Sequence, residues 1–262
     1  MIKNKMAVYN QYTTLASCYD VLNDGAEYNS YIKFICHMFR EEFGDIPGCG
    51  LLDLACGTGE MTLRLRSEGF SVLGIDISED MLAVASAKTE DEGIFFTKQD
   101  MRSFCTSRRY EAAVCCYDSL NYLTSYKELR SAFQCVNSAL CPGGIFIFDI
   151  NTLYRYESIY GNNVFALDYG DVYCVWENNF RPKRRTCTFD LTIFAKCGDG
   201  IYKKMTESHR QKYHSPKTVE KLLSETGFEI THIKSDADIF PLRGEEKPER
   251  LIFVAKKQTR LQ

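Results

Sequence analysis

Residues 50–59 read Gly-Leu-Leu-Asp-Leu-Ala-Cys-Gly-Thr-Gly. An apolar run broken by one aspartate and closing on a glycine turn is the pattern of a strand buried on both faces that hands over to a helix. The helix follows at once: Met61, Leu63 and Leu65 continue the run, and it stops near Gly69. Working outward, Ser71 to Ile75 predicts a second strand, and Ser78 caps a helix that carries Met81, Leu82, Val84 and Ala85. Ile94 to Thr97 and Tyr110 to Tyr117 read as the third and fourth strands. Ser125 and Glu128 form a capping box for the next helix, and the turn Cys141-Pro142-Gly143-Gly144 leads into a fifth strand at Ile145–Phe148. Upstream, residues 26–43 predict an amphipathic helix, preceded by an arm bearing Tyr9, Tyr12 and Tyr19.

After Asn151 the period changes to two. Residues 173–178, 186–191 and 203–213 alternate as antiparallel strands do, which predicts a β-meander inserted over 152–213. Ser215-Pro216 then starts a helix through Leu223 that ends at Gly227, followed by strands at Phe228–Lys234 and Arg250–Lys256. The fold class is therefore α/β: a doubly wound, mostly parallel seven-stranded sheet with a small antiparallel sheet inserted after the fifth strand. The first unit takes residues 1–151 and 214–262, and the insertion takes 152–213.

The whole chain has 262 residues, 32 basic and 35 acidic side chains and 45% hydrophobic residues, enough for one large packed domain. A formal charge of −3 gives no global field to attract a nucleic-acid backbone or an anionic membrane, so neither is expected as a partner. The first twenty residues hold no apolar run of signal-peptide length, which points to a cytoplasmic protein that does not span a membrane. The twelve cysteines include no Cys-x-x-Cys pair, and His37, His209, His214 and His232 are scattered, so the cysteines read as reduced core residues and no metal is expected. Arg181, Lys183, Arg184 and Arg185 sit in an Arg-Pro turn and read as a solvated hairpin tip.

In a doubly wound sheet the ligand lies at the carboxyl ends of the strands. Gly57 and Gly59 let the backbone approach it, and Asp76, at the end of the second strand, can accept both hydroxyls of a ribose. These features alone fit any adenosine-containing cofactor. A dinucleotide fingerprint wants a third glycine where Thr62 stands, and the Asp53 carboxylate would repel a pyrophosphate. A zwitterionic or cationic adenosine fits better.

At this point Leu52-Asp53-Leu54-Ala55-Cys56-Gly57-Thr58-Gly59 resembles the first motif of the class I S-adenosylmethionine-dependent methyltransferases. The resemblance continues in order through Gly74-Ile75-Asp76-Ile77-Ser78, Met81-Leu82, Gln99-Asp100-Met101, Tyr117-Asp118-Ser119-Leu120-Asn121-Tyr122 and Leu140-Cys141-Pro142-Gly143-Gly144. The arm Tyr12 to Asp20 and the insertion are similar to small-molecule members such as glycine N-methyltransferase and the aminosugar N,N-dimethyltransferases. The resemblance implies a Rossmann-like fold with S-adenosylmethionine as cofactor. It puts the methionine part against Asp53, Ala55, Cys56, Gly57 and Gly59, the ribose on Asp76, and adenine between Ile77 and Met81 with Asp100 and Met101 at its edge. Tyr117, Asp118 and Tyr122 would close the site after the fourth strand.

Methyl transfer from a sulfonium to a nitrogen or oxygen is an in-line displacement, so positioning and exclusion of water carry much of it. A proton must also leave the nucleophile. The candidates for that task and for positioning are Tyr19, Tyr12 and His209, and the substrate-binding candidates are Tyr31, Asp149, Asn151, Trp176, Asn178 and Arg210. Trp176, the only tryptophan, has two readings: core beneath the small sheet, or the roof of a small acceptor pocket with Asn178, His209 and Arg210. Three functional readings stay open: a small-molecule methyltransferase, a non-catalytic S-adenosylmethionine-binding protein, and a nicotinamide-dependent oxidoreductase, which the residue at 62 and Asp53 oppose.

Overall fold

The computed structural model describes residues 15–24, 27–239 and 247–259. Its large sheet is seeded by β1 (Gly50–Leu54), whose five residues are all buried, as the apolar run requires. Around it stand β2 (Ser71–Asp76), β3 (Ile94–Lys98), β4 (Tyr110–Cys115) and β5 (Leu140–Asn151). Beyond β5 come β11 (Arg250–Lys257) and β10 (Phe228–Ser235), giving the order β10-β11-β5-β4-β1-β2-β3. Only β11 runs against the others, paired antiparallel on both sides. The chain winds from β1 outward to β2 and β3 on one side and then to β4 and β5 on the other, so the first glycine turn opens where two crossovers diverge.

Alternate residues of each strand feed two cores. Leu52 and Leu54 face α5 (Tyr126–Ala139) and α6 (Pro216–Glu225), whereas Leu51 faces α2 (Tyr28–Phe43) and α3 (Glu60–Ser67). Each buried Phe, Leu or Ile on these faces is worth about 1.5–3 kcal/mol of transfer free energy. Phe148 and Phe253 are register partners on β5 and β11 and stack with centroids 5.2 Å apart. Both halves of the capping box at Ser125 and Glu128 are formed, and Ser78 caps α4 (Glu79–Ala87) through the Met81 amide.

The second sheet, β6-β7-β8-β9, lies in the chain between β5 and α6. Its strands are β6 (Val164–Asp168), β7 (Val172–Arg181), β8 (Thr186–Gly198) and β9 (Ile201–Lys212), all antiparallel. Residues 182–185 are an exposed turn between β7 and β8, the hairpin tip that the Arg-Pro setting predicts.

Several elements differ from the sequence reading. The edge strand β6 was not anticipated, because only Phe165 and Leu167 are half-buried and two positions are too few to register as alternation. The 141–144 segment is not a turn before β5 but part of the strand, where a register shift against β4 and a left-handed Gly143 absorb the irregularity. A π-helical stretch (Arg155–Tyr160) and two single-turn helices, α1 (Tyr19–Leu22) and α7 (Asp236–Ile239), were also missed.

Candidate cofactor and acceptor site

After β1 the backbone turns through left-handed residues at Ala55 (φ 55°), Gly57 (φ 54°) and Gly59 (φ 83°). What holds this loop is Asp76. Its Oδ2 accepts from the Gly57 amide at 2.9 Å and its Oδ1 from the Ser78 amide at 2.8 Å, so one carboxylate braces both the glycine turn and the start of α4. Burial pushes the Asp76 carboxyl above its usual range, against those backbone donors. A Cβ on Gly57 would meet nothing within 4 Å, so the loop faces open space there, whereas one on Gly59 would press on Ala85 and Phe96 at 3.1 and 3.2 Å.

Asp53 is buried beneath the loop and accepts from the Thr62 hydroxyl at 2.6 Å. Desolvation, helped by the nearby Asp76 and opposed by the Thr62 bond, raises its carboxyl to about 7. Thr62 at the place of a third glycine is therefore a partner for Asp53. Cys56 is buried behind the loop, its amide bonded to the Ile75 carbonyl at 3.1 Å.

Of the adenine-side candidates, Ile77 is exposed at the open edge, while the Met81 side chain is buried in α4 as ordinary helix core. Met101 packs against the main core. Asp100 is not a bare acceptor: Arg102 clasps it through Nε and Nη2 at 2.5 to 2.9 Å, and its own Oδ1 takes the Arg102 amide. Partial burial works against the charge, but these donors win and hold the carboxyl below its usual range.

At the end of β4 two consecutive non-glycine residues, Tyr117 (φ 57°) and Asp118 (φ 55°), adopt the left-handed conformation, at a cost of roughly 1–2 kcal/mol each. The compensation is a buried polar joint. Arg250 Nη2 donates to Asp118 Oδ1 at 2.9 Å, Gln211 Nε2 donates to Asp118 Oδ2 at 2.5 Å, and the Asp118 amide donates to Asp149 Oδ2 at 2.8 Å. The Arg250 guanidinium lies 5.3 Å from the centre of the Tyr117 ring. Burial raises the Asp149 carboxyl to about 6, with Arg250 opposing and Asp118 adding. Asn151 takes its place in the same joint, its amide donating to Asn121 Oδ1 and its side chain to Gln211 Oε1, which also accepts from Tyr156.

These contacts correct four expectations. Asp149 and Asn151 have no exposed surface and make protein contacts, Tyr31 is fully buried with its ring 5.1 Å from that of Tyr117, and Asp118 is held by Arg250 and Gln211. In the structure all four are held by protein contacts in the floor at the strand ends. Tyr122 is on a 3-10 turn (Ser119–Tyr122), and its ring stands edge-on to that of His209, centroids 6.0 Å apart.

The small sheet turns one face inward. Alternation along β7 puts Cys174, Trp176, Asn178 and Phe180 on it, and along β9 Met205, Glu207, His209 and Gln211. Arg210 falls between His209 and Gln211, so it is exposed on the opposite face and does not join them. Trp176 packs with Tyr160, Phe165 and Phe189, each centroid 5.8 Å away, so most of its surface is core. Its buried Nε1 has no acceptor among the described residues, and neither does the buried Asn178 Oδ1 have a donor.

The arm closes over the glycine loop. Asp20 accepts from the Thr58 hydroxyl at 2.5 Å and meets Lys88 Nζ at 2.6 Å, and Lys88 also reaches Glu60. Next to it, Tyr19 is surrounded by Tyr122, Tyr28, Asp118 and Asp76; burial first, then these groups, hold its phenol well above its usual range. Tyr122 in turn meets His209 of the small sheet. Tyr9 and Tyr12 lie outside the described residues.

Two residues that sequence reasoning did not pick complete this picture, Glu207 and Arg250. Glu207 was findable: Glu207, His209 and Gln211 are polar at the alternate positions where a strand would bury apolar side chains. Arg250 was not, because its partners lie more than ninety residues away.

Comparison with known proteins agrees with the geometry. Residues 51–144 match a family model described as a methyltransferase domain. YqeM of Bacillus subtilis (strain 168), assigned as a methyltransferase, is 32% identical over 94% of this chain and 97% of its own. A dTDP-3-amino-3,6-dideoxy-α-D-glucopyranose N,N-dimethyltransferase of Streptomyces fradiae is 30% identical over 52% of each chain. A crystal structure of an S-adenosylmethionine-dependent methyltransferase from Clostridium acetobutylicum ATCC 824 superposes with a TM-score of 0.81 at 29% identity, covering 95% of this chain and 99% of that one. With the glycine turn, its bracing acid and the seven-stranded sheet in place, the chain belongs to the S-adenosylmethionine-dependent methyltransferases.

Proposed function

We propose that the chain methylates a nitrogen or oxygen of a small molecule, bound between the strand ends of the large sheet and the inner face of the small one. The observation that carries this reading is that Tyr122, on the turn after β4, stands edge-on to His209 of the small sheet, while Asp20 of the arm holds Thr58 of the glycine loop, so arm, large sheet and small sheet meet at the strand ends. The residues present fit the cofactor. The space over Gly57 is open, and Asp76 uses two of its roughly four acceptor sites on the loop, leaving capacity for ribose hydroxyls. Asp53 places a carboxyl beneath the turn that would favour an ammonium group.

S-adenosylmethionine, when bound, supplies a methyl group on a sulfonium. In this reading Asp53, Ala55, Cys56, Gly57 and Gly59 hold its amino-acid end, Asp76 its ribose, and Ile77, Asp100 and Met101 the rim around its base; Asp100 takes part only through whatever acceptor capacity Arg102 leaves. Tyr19 and Tyr122 position the acceptor, and the arm, clasped through Asp20, excludes water. Trp176 and Asn178 form part of the roof, offering a hydrogen-bond donor and acceptor that no described residue uses. The test is a panel of small amines, amino acids, phenols and sugars assayed for S-adenosylhomocysteine release. Turnover of one or more supports the reading; binding of the cofactor without turnover of any would favour a sensor.

A further inference from the structure

The inner face of the small sheet carries a row of four register partners, Leu167 on β6, Cys174 on β7, Ile193 on β8 and Met205 on β9. The arm lies across this row. At one end the Leu15 N–H donates to Glu207 Oε1 on β9 at 2.5 Å. At the other the Leu22 carbonyl accepts from the Tyr169 hydroxyl, on the turn between β6 and β7, at 3.4 Å. Between these ends Cys18 packs with Leu15 and Leu22 in the apolar cluster that holds all four members of the row. Cα atoms of α1, which begins one residue after Cys18, come within 8 Å of those of β7. Two thiols from distant parts of the chain are thus buried together, Cys18 at 4% exposure and Cys174 at 1%.

We propose that Cys18 and Cys174 form a redox latch: a low-molecular-weight disulfide oxidises the pair, and the new S–S bond fixes the arm to the small sheet. The position of Cys18 gives the bond its consequence. Two residues later Asp20 holds the Thr58 hydroxyl of the glycine loop and meets Lys88 of the segment after α4. Pinning Cys18 therefore pins the clasp over the cofactor end of the site, and the oxidised protein exchanges cofactor slowly. That consequence rests on the reading above, in which the arm closes the site; formation of the bond does not.

Burial, and after it the neighbouring Cys18, pushes the Cys174 thiol up to about 11, so the pair is inert while the arm is down. Oxidation begins when the arm lifts and carries Cys18 into water. The Cys18 thiol gives its proton to water, and its sulfur attacks one sulfur of the oxidant, whose S–S bond breaks and releases a thiolate. The Cys174 thiol then loses its proton, and its sulfur attacks that of Cys18. The mixed disulfide breaks, the intramolecular bond forms and a second thiolate leaves. Two protein thiols have then given up two electrons, and the oxidant has become two thiols. Excess thiol runs the same steps backwards.

The test starts from the Cys105→Ser, Cys197→Ser protein, which lacks the two exposed cysteines and the intermolecular disulfides they would form. After treatment with glutathione disulfide, a non-reducing peptide map should show Cys18 joined to Cys174, and dithiothreitol should remove the link. Adding Cys174→Ala or Cys18→Ser to that protein should abolish it, with glutathione left on Cys18 in the Cys174→Ala chain. Saturating S-adenosylhomocysteine should slow link formation at least tenfold, because it holds the arm down. Rapid filtration with labelled S-adenosylmethionine should show the oxidised, empty protein taking up cofactor at least tenfold more slowly than the reduced one, a difference absent in both variants. No link between Cys18 and Cys174 in the folded protein would overturn the site. A link whose formation ignores the cofactor, or one that leaves uptake within twofold, would overturn the latch. Neither readout uses a methyl acceptor, so failure of every acceptor in the panel would defeat the reading above and leave this result standing.

Discussion

Arg250 on β11 donates from Nη2 to Oδ1 of Asp118, 132 residues earlier in the chain, at 2.9 Å, and its Nε stands 3.6 Å from Asp149 Oδ2. Asp149 has no exposed surface and the other two side chains expose 10 to 13%, so one guanidinium serves two carboxylates largely out of water. The same ion pair restrains the left-handed Tyr117-Asp118 step on which the site floor is built.

Arg250→Met should therefore destabilise the fold by about 3–5 kcal/mol at pH 7, because it strands two buried carboxylates. Urea denaturation followed by circular dichroism measures it. The loss should shrink on acidification to pH 5, as Asp149, already raised to about 6, becomes protonated.

Asp76 braces the glycine loop through two backbone amides and is the proposed ribose acceptor. Asp76→Ala should weaken S-adenosylmethionine binding by about 1.5–3 kcal/mol, and Asp76→Asn by less, because one acceptor oxygen survives. Isothermal titration of folded variants gives the numbers; unchanged affinity in both would remove Asp76 from the site.

Asp53 links cofactor affinity to pH. Its carboxyl is raised to about 7 by burial, and an ammonium group above it would favour the ionised form, lowering that value in the complex. Binding then releases a proton below pH 7, so affinity should rise with pH up to about 7 and level off beyond it. Titrations in two buffers of different ionisation enthalpy count the proton, and Asp53→Asn should abolish the slope.

His214 bears on stability in acid. Its Nε2 lies 2.8 Å from the Leu123 carbonyl, and burial lowers its pKa from 6.5 to about 4. Between these values the unfolded chain binds more protons than the folded one, so the His214 contribution is complete above about pH 6.5 and is lost as pH falls through 4, by up to roughly 3 kcal/mol. The raised carboxyls of Asp53 and Asp149 act in the opposite sense. Comparing His214→Gln with the unaltered protein at pH 7 and pH 5 isolates the histidine term: the variant should be the less acid-sensitive of the two.

Local chemistry is what made most of the fold readable. Leu51 and Leu52 face opposite cores because strand alternation leaves no other choice, and Ser125 and Glu128 announce a helix start four residues long. The glycine turn and its bracing acid were readable for the same reason, since Asp76 reaches to Gly57 and Ser78 at the neighbouring strand ends. The acceptor side was not. Asp149 and Asn151 look like free polar groups at a strand end until Arg250 and Gln211 arrive from distant strands to claim them. Arg210 was drawn into the site by its neighbour His209, although a period of two sends the pair to opposite faces.

The placement of β11 also has a bearing on how the molecule is made. This strand lies between β5 and β10, so until it is in position β10 has no partner and the large sheet ends at β5. It is also the strand that delivers Arg250 to Asp118, in the floor of the proposed acceptor site. During synthesis the glycine turn and its bracing acid can form as soon as β1 and β2 have left the ribosome, but the floor waits for some 170 further residues, about the separation of Asp76 and Arg250. A nascent chain would thus acquire the means to hold its methyl donor long before it could seat anything to be methylated.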